Sequence, residues 1–296
     1  MKAAILVNTR SGRGGAELLA ESVAGALGAA GIDSQIFALG SSSPRQIVEG
    51  ARGGRALIVV GGDGTVHAAL EPAIEAKLPI YHMPAGTENL FAREFRMRAA
   101  LPGVVNAVRA GLTASVDLGR VRGRPFAIMC SVGPDAQVIH EVAARRGGSV
   151  SRLDFAGPIA RVALQGRPSR LSVWVNGHAV IQNRPGLLLI ANSRRYALGQ
   201  DPARRARMDD GLLDIVFLPF EAPGAMLWWM ALTRFGLHDR MGGAKYVRGK
   251  SVRVESDRPL PLQIDGEAAG FVGAEHGPLE AAIEPGALSV LLPDTS

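Results

Sequence analysis

Over the first 118 residues, short apolar runs alternate with stretches whose apolar residues recur at helical spacing. That order builds a parallel sheet with crossover helices. The runs Ala3 to Val7, Ser34 to Ala38, Ala56 to Val60 and Pro79 to Met83 predict strands. A helix is expected over Ala16 to Ala30, and a second from Ser43-Pro44, where serine suits the N-cap and proline the first helical position. A third should follow Gly64 and break or kink near Pro72. Beyond residue 118 the rhythm changes to short strands separated by turn residues: Ser169 to Val175, Gly186 to Ile190, Leu213 to Phe217, Ser251 to Val254, Leu260 to Ile264 and Leu279 to Ile283. Asn176-Gly177 and Asp265-Gly266 are dipeptides favoured in two-residue hairpins. Helical inserts are expected near Arg152 to Gln165 and Pro223 to Leu237. The division expected is an α/β domain over 1–118, to which a tail at 285–296 returns, and a β-rich domain over 119–284.

Composition narrows the class. With 37 glycines and 18 prolines in 296 residues, about one residue in five punctuates the chain, the texture of many short elements and not of a helical bundle. The longest apolar run, Ala225 to Leu232, falls well short of the ~20 residues a membrane span needs. Ala3 to Val7 is too short for a signal-peptide core and meets Arg10 and Arg13 at once, so a cytoplasmic protein is expected. A single cysteine, Cys130, excludes an internal disulfide and a cysteine-based zinc cage. The net charge of +6 lies mostly beyond residue 118, and only four of the 33 basic residues are lysine. Such a charge raises nucleic acid or an anionic membrane as partners. Aromatics at 5% and the lack of any RRM, KH or helix-turn-helix pattern set nucleic acid aside.

Chemistry concentrates where the apolar run Ala56 to Val60 meets Gly61-Gly62-Asp63-Gly64-Thr65. A buried strand entering such a turn before a helix lets backbone amides approach a polyphosphate, whose charge the helix dipole favours. Thr65 adds a hydroxyl donor. A carboxylate among amides repels phosphate unless a cation intervenes or the acid handles a proton, so Asp63 points to metal or base chemistry. The string matches neither the dinucleotide fingerprint nor the P-loop.

It does resemble the GGDGT signature of the diacylglycerol kinase, sphingosine kinase and NAD kinase superfamily. Asn8-Thr9-Arg10-Ser11-Gly12 is similar to that family's first nucleotide-contacting loop, and Met83-Pro84-Ala85-Gly86-Thr87-Glu88-Asn89-Leu90-Phe91-Ala92-Arg93 to its P-x-G-T-x-N-D-F-A-R loop. Gly133-Pro134-Asp135-Ala136 resembles its G-F-D-A segment, Asp209-Asp210-Gly211-Leu212-Leu213-Asp214 its D-D-G-x-L-D strand, and Gln263-Ile264-Asp265-Gly266-Glu267 its Q-x-D-G-E hairpin. Six segments in the family's order span nearly the whole chain, and together they resemble the bacterial diacylglycerol-kinase-like lipid kinases. That resemblance implies an N-terminal Rossmann-like nucleotide domain with a parallel sheet, a C-terminal β-sandwich lipid-binding domain, and ATP in the cleft between them. It makes Glu267 a base candidate and Asp63 a metal or base partner. Nucleotide contacts are implied for Asn8, Thr9, Arg10, Ser11, Gly12, Gly61, Gly62, Asp63, Gly64, Thr65, Gly86, Thr87 and Asn89. Asn89 suits ribose, phosphate or a backbone neighbour, and threonine and asparagine also favour helix caps. A structural magnesium is implied on Asp210 and the carbonyls of Arg207 and Leu212. Departures from the pattern are Leu90 where the family has aspartate, His67-Ala68 after GGDGT, and Arg194 to Gly199 in place of a glycine-rich stretch.

The expected activity is transfer of the ATP γ-phosphate to a lipid hydroxyl, diacylglycerol being the first choice of acceptor. The alternatives are a sphingoid or monoacylglycerol acceptor, or a catalytically impaired sensor on the same fold. An insoluble acceptor demands contact with a bilayer. Met226 to Leu232 with Arg234 resembles an interfacial helix, though a core-facing helix reads equally well. Arg204, Arg205 and Arg207 with Arg194 and Arg195 suit either anionic headgroups or a solvated loop. Peripheral contact with an anionic membrane and a homodimer complete the expected partners.

Overall fold

The computed structural model describes residues 1–9, 14–145, 151–165 and 170–293. The chain divides into two compact units, one formed by Met1–Val116 with the chain from Gly286 onward, the other by most of Asp117–Pro285.

In the first unit the elements run β1 (Lys2–Val7), α1 (Gly15–Ala29), β2 (Asp33–Ala38), α2 (Pro44–Ala51), β3 (Leu57–Gly61), α3 (Asp63–Ala76), β4 (Ile80–Pro84), α4 (Leu90–Glu94) and α5 (Leu101–Ala110). β3 is buried at every position because it is flanked by β1 and β4, both parallel to it, the order being β2-β1-β3-β4. α1 buries Ala16, Ala20, Val23 and Leu27, the stripe a helix needs to cover a sheet. α2 opens with a capping box: Ser43 Oγ accepts from Gln46 N–H at 3.2 Å, and Gln46 Oε1 accepts from Ser43 N–H at 2.8 Å. Of the break or kink expected near Pro72, a break does not occur. α3 continues through it to Ala76, and Pro72 is buried with Ala69, Leu70 and Ala73, so packing outweighs the one backbone bond the ring removes.

The second unit contains β5 (Thr113–Val121, its last residues), β6 (Arg124–Phe126), β7 (Met129–Val132), α6 (Pro134–Ala144), α7 (Ala156–Gln165), β8 (Arg170–Val175), β9 (His178–Ala191), β10 (Leu213–Pro219), α8 (Ala225–Phe235), β11 (Lys245–Gly249), β12 (Ser251–Ser256), β13 (Leu260–Ile264), β14 (Glu267–Val272) and the first half of β15 (Leu279–Leu291). The last residues of β15 belong to the first unit, where Val290 pairs with Ile80 of β4 in parallel. The strands of the second unit form two antiparallel layers. β9 serves both: residues 178–185 pair with β8, and 186–191 pair with β10 and β7. One layer continues from β8 through β12 to β15, the other from β7 through β13 to β14. Val173, Val252 and Leu279 of one layer and Leu188, Ile215 and Leu262 of the other share one buried core.

The Asp265-Gly266 turn joins β13 to β14 with φ of 48° and 83°, positive at both centres as a two-residue hairpin requires. Its aspartate does more than turn the chain. The Asp265 carboxylate accepts from the backbone N–H groups of Ala127, Ile128 and Met129 at 2.8, 2.9 and 3.0 Å, in a stretch that is almost wholly buried. Replacing Asp265→Ala leaves three buried donors unmatched, and the expected loss of stability is about 3 kcal/mol or more. Chemical denaturation of the variant beside Asp265→Asn, which keeps one acceptor oxygen, checks this, with the asparagine expected between parent and alanine.

Candidate functional site

In the first unit, β3 ends at Gly61 and α3 starts at Asp63, so Gly62 is the N-cap, with extended backbone. The Gly62 carbonyl accepts from Thr65 and Val66 N–H at 2.9 and 3.2 Å. The earlier amides of the turn have no partner inside the helix, and the dipole adds positive potential where they point. Facing this turn is the loop that follows β4. A Cβ added to Gly86 would stand 2.5 Å from Gly62 Cα, so the two backbones touch and no side chain fits at Gly86 without displacing one of them. Behind the turn, a Cβ on Gly61 would meet Thr65 Oγ1 at 2.2 Å. The Thr65 hydroxyl is buried and has no hydrogen-bond partner among the described residues.

The loop is locked from several directions. Gly61 O accepts from Ala85 N–H at 2.8 Å and lies 2.9 Å from His82 Nε2. His82 is fully buried on β4, and burial lowers its pKa to about 4 although the Gly61 carbonyl works the other way. It is therefore neutral near pH 7, with the Nε2 proton donated to Gly61 O. Asn89 adopts φ 50° at the N-cap of α4. Its Oδ1 accepts from Gly86 N–H at 2.9 Å and its Nδ2 donates to Gly86 O at 2.8 Å. Of the three uses expected for Asn89, the backbone neighbour is the one seen. Asp63 Oδ1 accepts from Phe91 N–H at 3.1 Å, in the first turn of α4, which Leu90 opens.

Gly61, Gly62, Asp63, Gly64 and Thr65 are thus brought against Gly86, with Thr87 and Asn89 in the same loop. Asn8 follows β1 and donates its N–H to Val60 O at 3.2 Å, placing Asn8 and Thr9 at the same end of the sheet. Arg10, Ser11 and Gly12 lie outside the described residues. This end of the sheet presents glycine backbone, helix-terminal amides, a threonine hydroxyl and one carboxylate, a set suited to a polyphosphate with its counter-cation.

In the second unit Glu267 opens β14, directly after the Asp265-Gly266 turn and paired with Ile264. The hairpin is anchored to a buried polar network. Gln263 Oε1 accepts from Gly266 N–H at 2.8 Å, while its Nε2 donates to Ser131 Oγ at 3.0 Å. The Ser131 and Tyr196 hydroxyls both donate to the Asp135 carboxylate at the start of α6. Burial raises the Asp135 pKa against these two donors and Gln263 Nε2, which donates to it at 3.5 Å, and the Tyr196 pKa is raised well above its ordinary value by burial and then by Asp135. Asp135 and Gln263 fall inside segments that stood out in the sequence. Ser131 and His82 did not, since a lone hydroxyl or imidazole in an apolar strand carries no pattern, and Tyr196 stood only within the stretch noted as a departure.

The implied magnesium ligands lie in the same unit. Asp210 Oδ1 accepts from Leu212 N–H at 3.2 Å, and its other oxygen is taken by the guanidinium of Arg248, which also reaches Asp214 Oδ1 through Nε at 3.3 Å. Arg207 pairs with Asp209 at 3.0 Å. The turn is supported from below by buried Asp117, whose Oδ2 accepts from Gly211 N–H at 2.6 Å. Among the described residues no three His, Cys, Asp or Glu side chains are grouped to hold a metal ion. As arranged, one Asp210 oxygen faces an amide and the other a guanidinium, and no step below passes through a metal there.

A parallel α/β unit with a glycine-lined turn, followed by a two-layer antiparallel unit, is a fold of NAD-kinase type. The crystal structure of an Archaeoglobus fulgidus NAD kinase in complex with ATP superposes with a TM-score of 0.56 at 14% identity, covering 99% of this chain and 94% of that one. That of a Bacillus anthracis diacylglycerol kinase superposes with a TM-score of 0.73 at 18% identity, covering 98% and 96%. Residues 2–121 match the diacylglycerol kinase catalytic domain, and residues 128–292 the YegS C-terminal NAD kinase beta sandwich-like domain. A Mycobacterium tuberculosis diacylglycerol kinase is 28% identical over 99% of this chain and 95% of its own length. One from Staphylococcus carnosus is 27% identical over 77% of this chain and 75% of its length. The chain belongs to the diacylglycerol-kinase-like lipid kinase family and is a kinase.

Two outcomes follow from the geometry. The unfolded chain protonates His82 near pH 6.5 and the folded chain only near 4, so the stability this residue contributes is present above 6.5 and is lost as pH falls toward 4. Over that window the parent should lose about 3 kcal/mol more than His82→Gln, which does not titrate, as read by denaturation midpoints at stepped pH. For Asp210, Arg248→Met should destabilise by about 2 kcal/mol, read by thermal melting, because Asp210 and Asp214 lose their shared guanidinium and keep only the Leu212 amide and the Tyr246 hydroxyl.

Proposed function

We propose that this kinase transfers the γ-phosphoryl group of ATP, presented as its magnesium complex, to the hydroxyl of a lipid, with diacylglycerol as acceptor and phosphatidic acid and ADP as products. The observation that carries the reading is the contact of the Gly62 and Gly86 turns beside Asp63 at the start of α3. Two backbone segments without side chains leave room for a triphosphate to lie close, and the α3 dipole favours its charge. In this reading Gly62, Gly64 and Thr87 hold phosphate, while Gly61, Thr65 and Gly86 shape the turn: the Thr65 and Gly86 amides are bonded within it and the Thr65 hydroxyl is buried. Asn8 and Thr9 line the same end of the sheet. Asn89 acts by holding the Gly86 loop in shape.

The lipid oxygen attacks the γ-phosphorus as the bond to the β-bridging oxygen of ADP breaks. The hydroxyl proton passes to a carboxylate. Asp63 and Glu267 are the two acids assigned to that proton and to the charge balance of the transferring group. Magnesium supplies charge neutralisation when it arrives with the nucleotide.

The experiment is ADP release measured across a panel of lipid alcohols, with products identified by mass spectrometry. Diacylglycerol should be turned over ahead of sphingoid bases and monoacylglycerol. Asp63→Asn and Glu267→Gln should each reduce the rate by about 10²- to 10⁴-fold while melting at the parent temperature. Equal rates in the parent and both variants would overturn the assignment.

A further inference from the structure

α8 is apolar on both sides, and only one side is covered. At 100° per residue its buried positions Met226, Trp229, Leu232 and Thr233 form one face, and Met226 packs with Val138, Val162, Ala163 and Phe220. Leu227, Trp228, Ala231 and Phe235 fall within a 100° arc on the opposite face, and all are exposed, Trp228 at 55% and Phe235 at 74%. A helix that faces water ordinarily turns polar residues to it. Here the contrast is sharpest between neighbours: the indole of Trp229 donates to Pro219 O in the core, while Trp228 stands in solvent. Leu164 is exposed as well, next in the chain to Ala163, whose carbonyl accepts from Gly224 N–H at 2.7 Å where α8 begins. Leu237 and Met241, which follow the other end of the helix, are also exposed.

We propose that this face of α8 is the surface that inserts into an anionic lipid bilayer, an inference that rests on the lipid-kinase reading and names where the enzyme meets its acceptor's phase. Three arginines surround the C-terminal end of the stripe. Arg234 lies in the last turn beside the apolar arc, Arg204 donates to the carbonyls of Thr233 and Arg234, and Arg240 is exposed just beyond. The nearby carboxylates are neutralised within the protein, Asp239 by Arg205 at 3.3 Å and Glu221 by Arg184 at 3.4 Å. Apolar bulk edged by guanidinium groups complements headgroup phosphates lying over acyl chains, and a tryptophan at the rim suits the interface between them. A second protein chain fits less well. A stable interface takes about 20 to 30 residues a side, and this stripe offers a handful.

The test is flotation of the full chain with phosphatidylcholine vesicles and with vesicles that also contain phosphatidylglycerol, comparing the parent with the triple variant Leu227→Ser, Trp228→Ser, Phe235→Ser. The parent should partition preferentially onto the anionic vesicles, with its tryptophan emission quenched by brominated acyl chains. The triple variant should bind at least tenfold less while keeping the parent melting temperature. With a short-chain diacylglycerol dispersed below its aggregation limit, parent and variant should release ADP at equal rates. On vesicle-borne diacylglycerol the variant should fall behind. Binding of parent and variant to anionic vesicles at equal strength would overturn the proposal, as would equal losses on dispersed and vesicle-borne acceptor. A parent that phosphorylates no lipid would overturn the functional reading instead, and the vesicle binding data would still decide the role of α8.

Discussion

The backbone contact between Gly62 and Gly86 is the constraint on which the first unit's chemistry turns. Two loops from neighbouring strands can touch at Cα only when neither bears a side chain, and a Cβ at Gly86 would come within 2.5 Å of Gly62 Cα. Everything around the contact serves to hold it. His82 and Ala85 bind the Gly61 carbonyl, Asn89 closes on Gly86 with both ends of its amide, and Asp63 receives an amide from α4. The neutral imidazole in the core is part of the same design. A charged histidine there would carry an uncompensated desolvation cost, so the turn is most secure where the ring is unprotonated.

The second unit reaches a similar rigidity by other means. Its DGE hairpin is fixed by side chains acting on backbone: Asp265 takes three amides where the chain enters β7, and Gln263 takes the amide of Gly266. Gln263 also joins the buried Ser131, Asp135 and Tyr196 network, so the strand that precedes Glu267 is tied to the start of α6. Preorganisation of this kind is what a carboxylate needs if it is to meet a reacting hydroxyl without reorganising its surroundings. The Asp210 turn follows the same principle with a guanidinium as its cation, since Arg248 balances both Asp210 and Asp214.

In the function proposed above, glycine-lined turns, a pinned hairpin and a half-covered helix are three answers to one difficulty. A kinase for lipids must hold a highly charged nucleotide and also approach an oily phase, and no single surface does both. The first unit supplies amides and helix dipole, whereas α8 in the second presents aromatic and aliphatic side chains beside arginine.

Local chemistry made much of this legible in the chain itself. β-branched runs at Ala3 to Val7 and Ala56 to Val60 become buried parallel strands because such side chains fill a surface covered on both faces. Ser43-Pro44 starts a capped helix because cap and proline act on their own immediate backbone. The glycine-rich strings, read together and in order, were enough to place the chain among lipid kinases. Tertiary structure decided what depends on distant partners. Whether Pro72 breaks its helix was settled by the core it packs in, and which side of α8 is buried by Val138, Val162 and Phe220. The partners of Asp210, Asp265 and Asp135 lie up to 138 positions away along the chain. A spacing rule sees only neighbours within a turn or a hairpin, while a buried carboxylate takes whichever donors the folded layers bring to it.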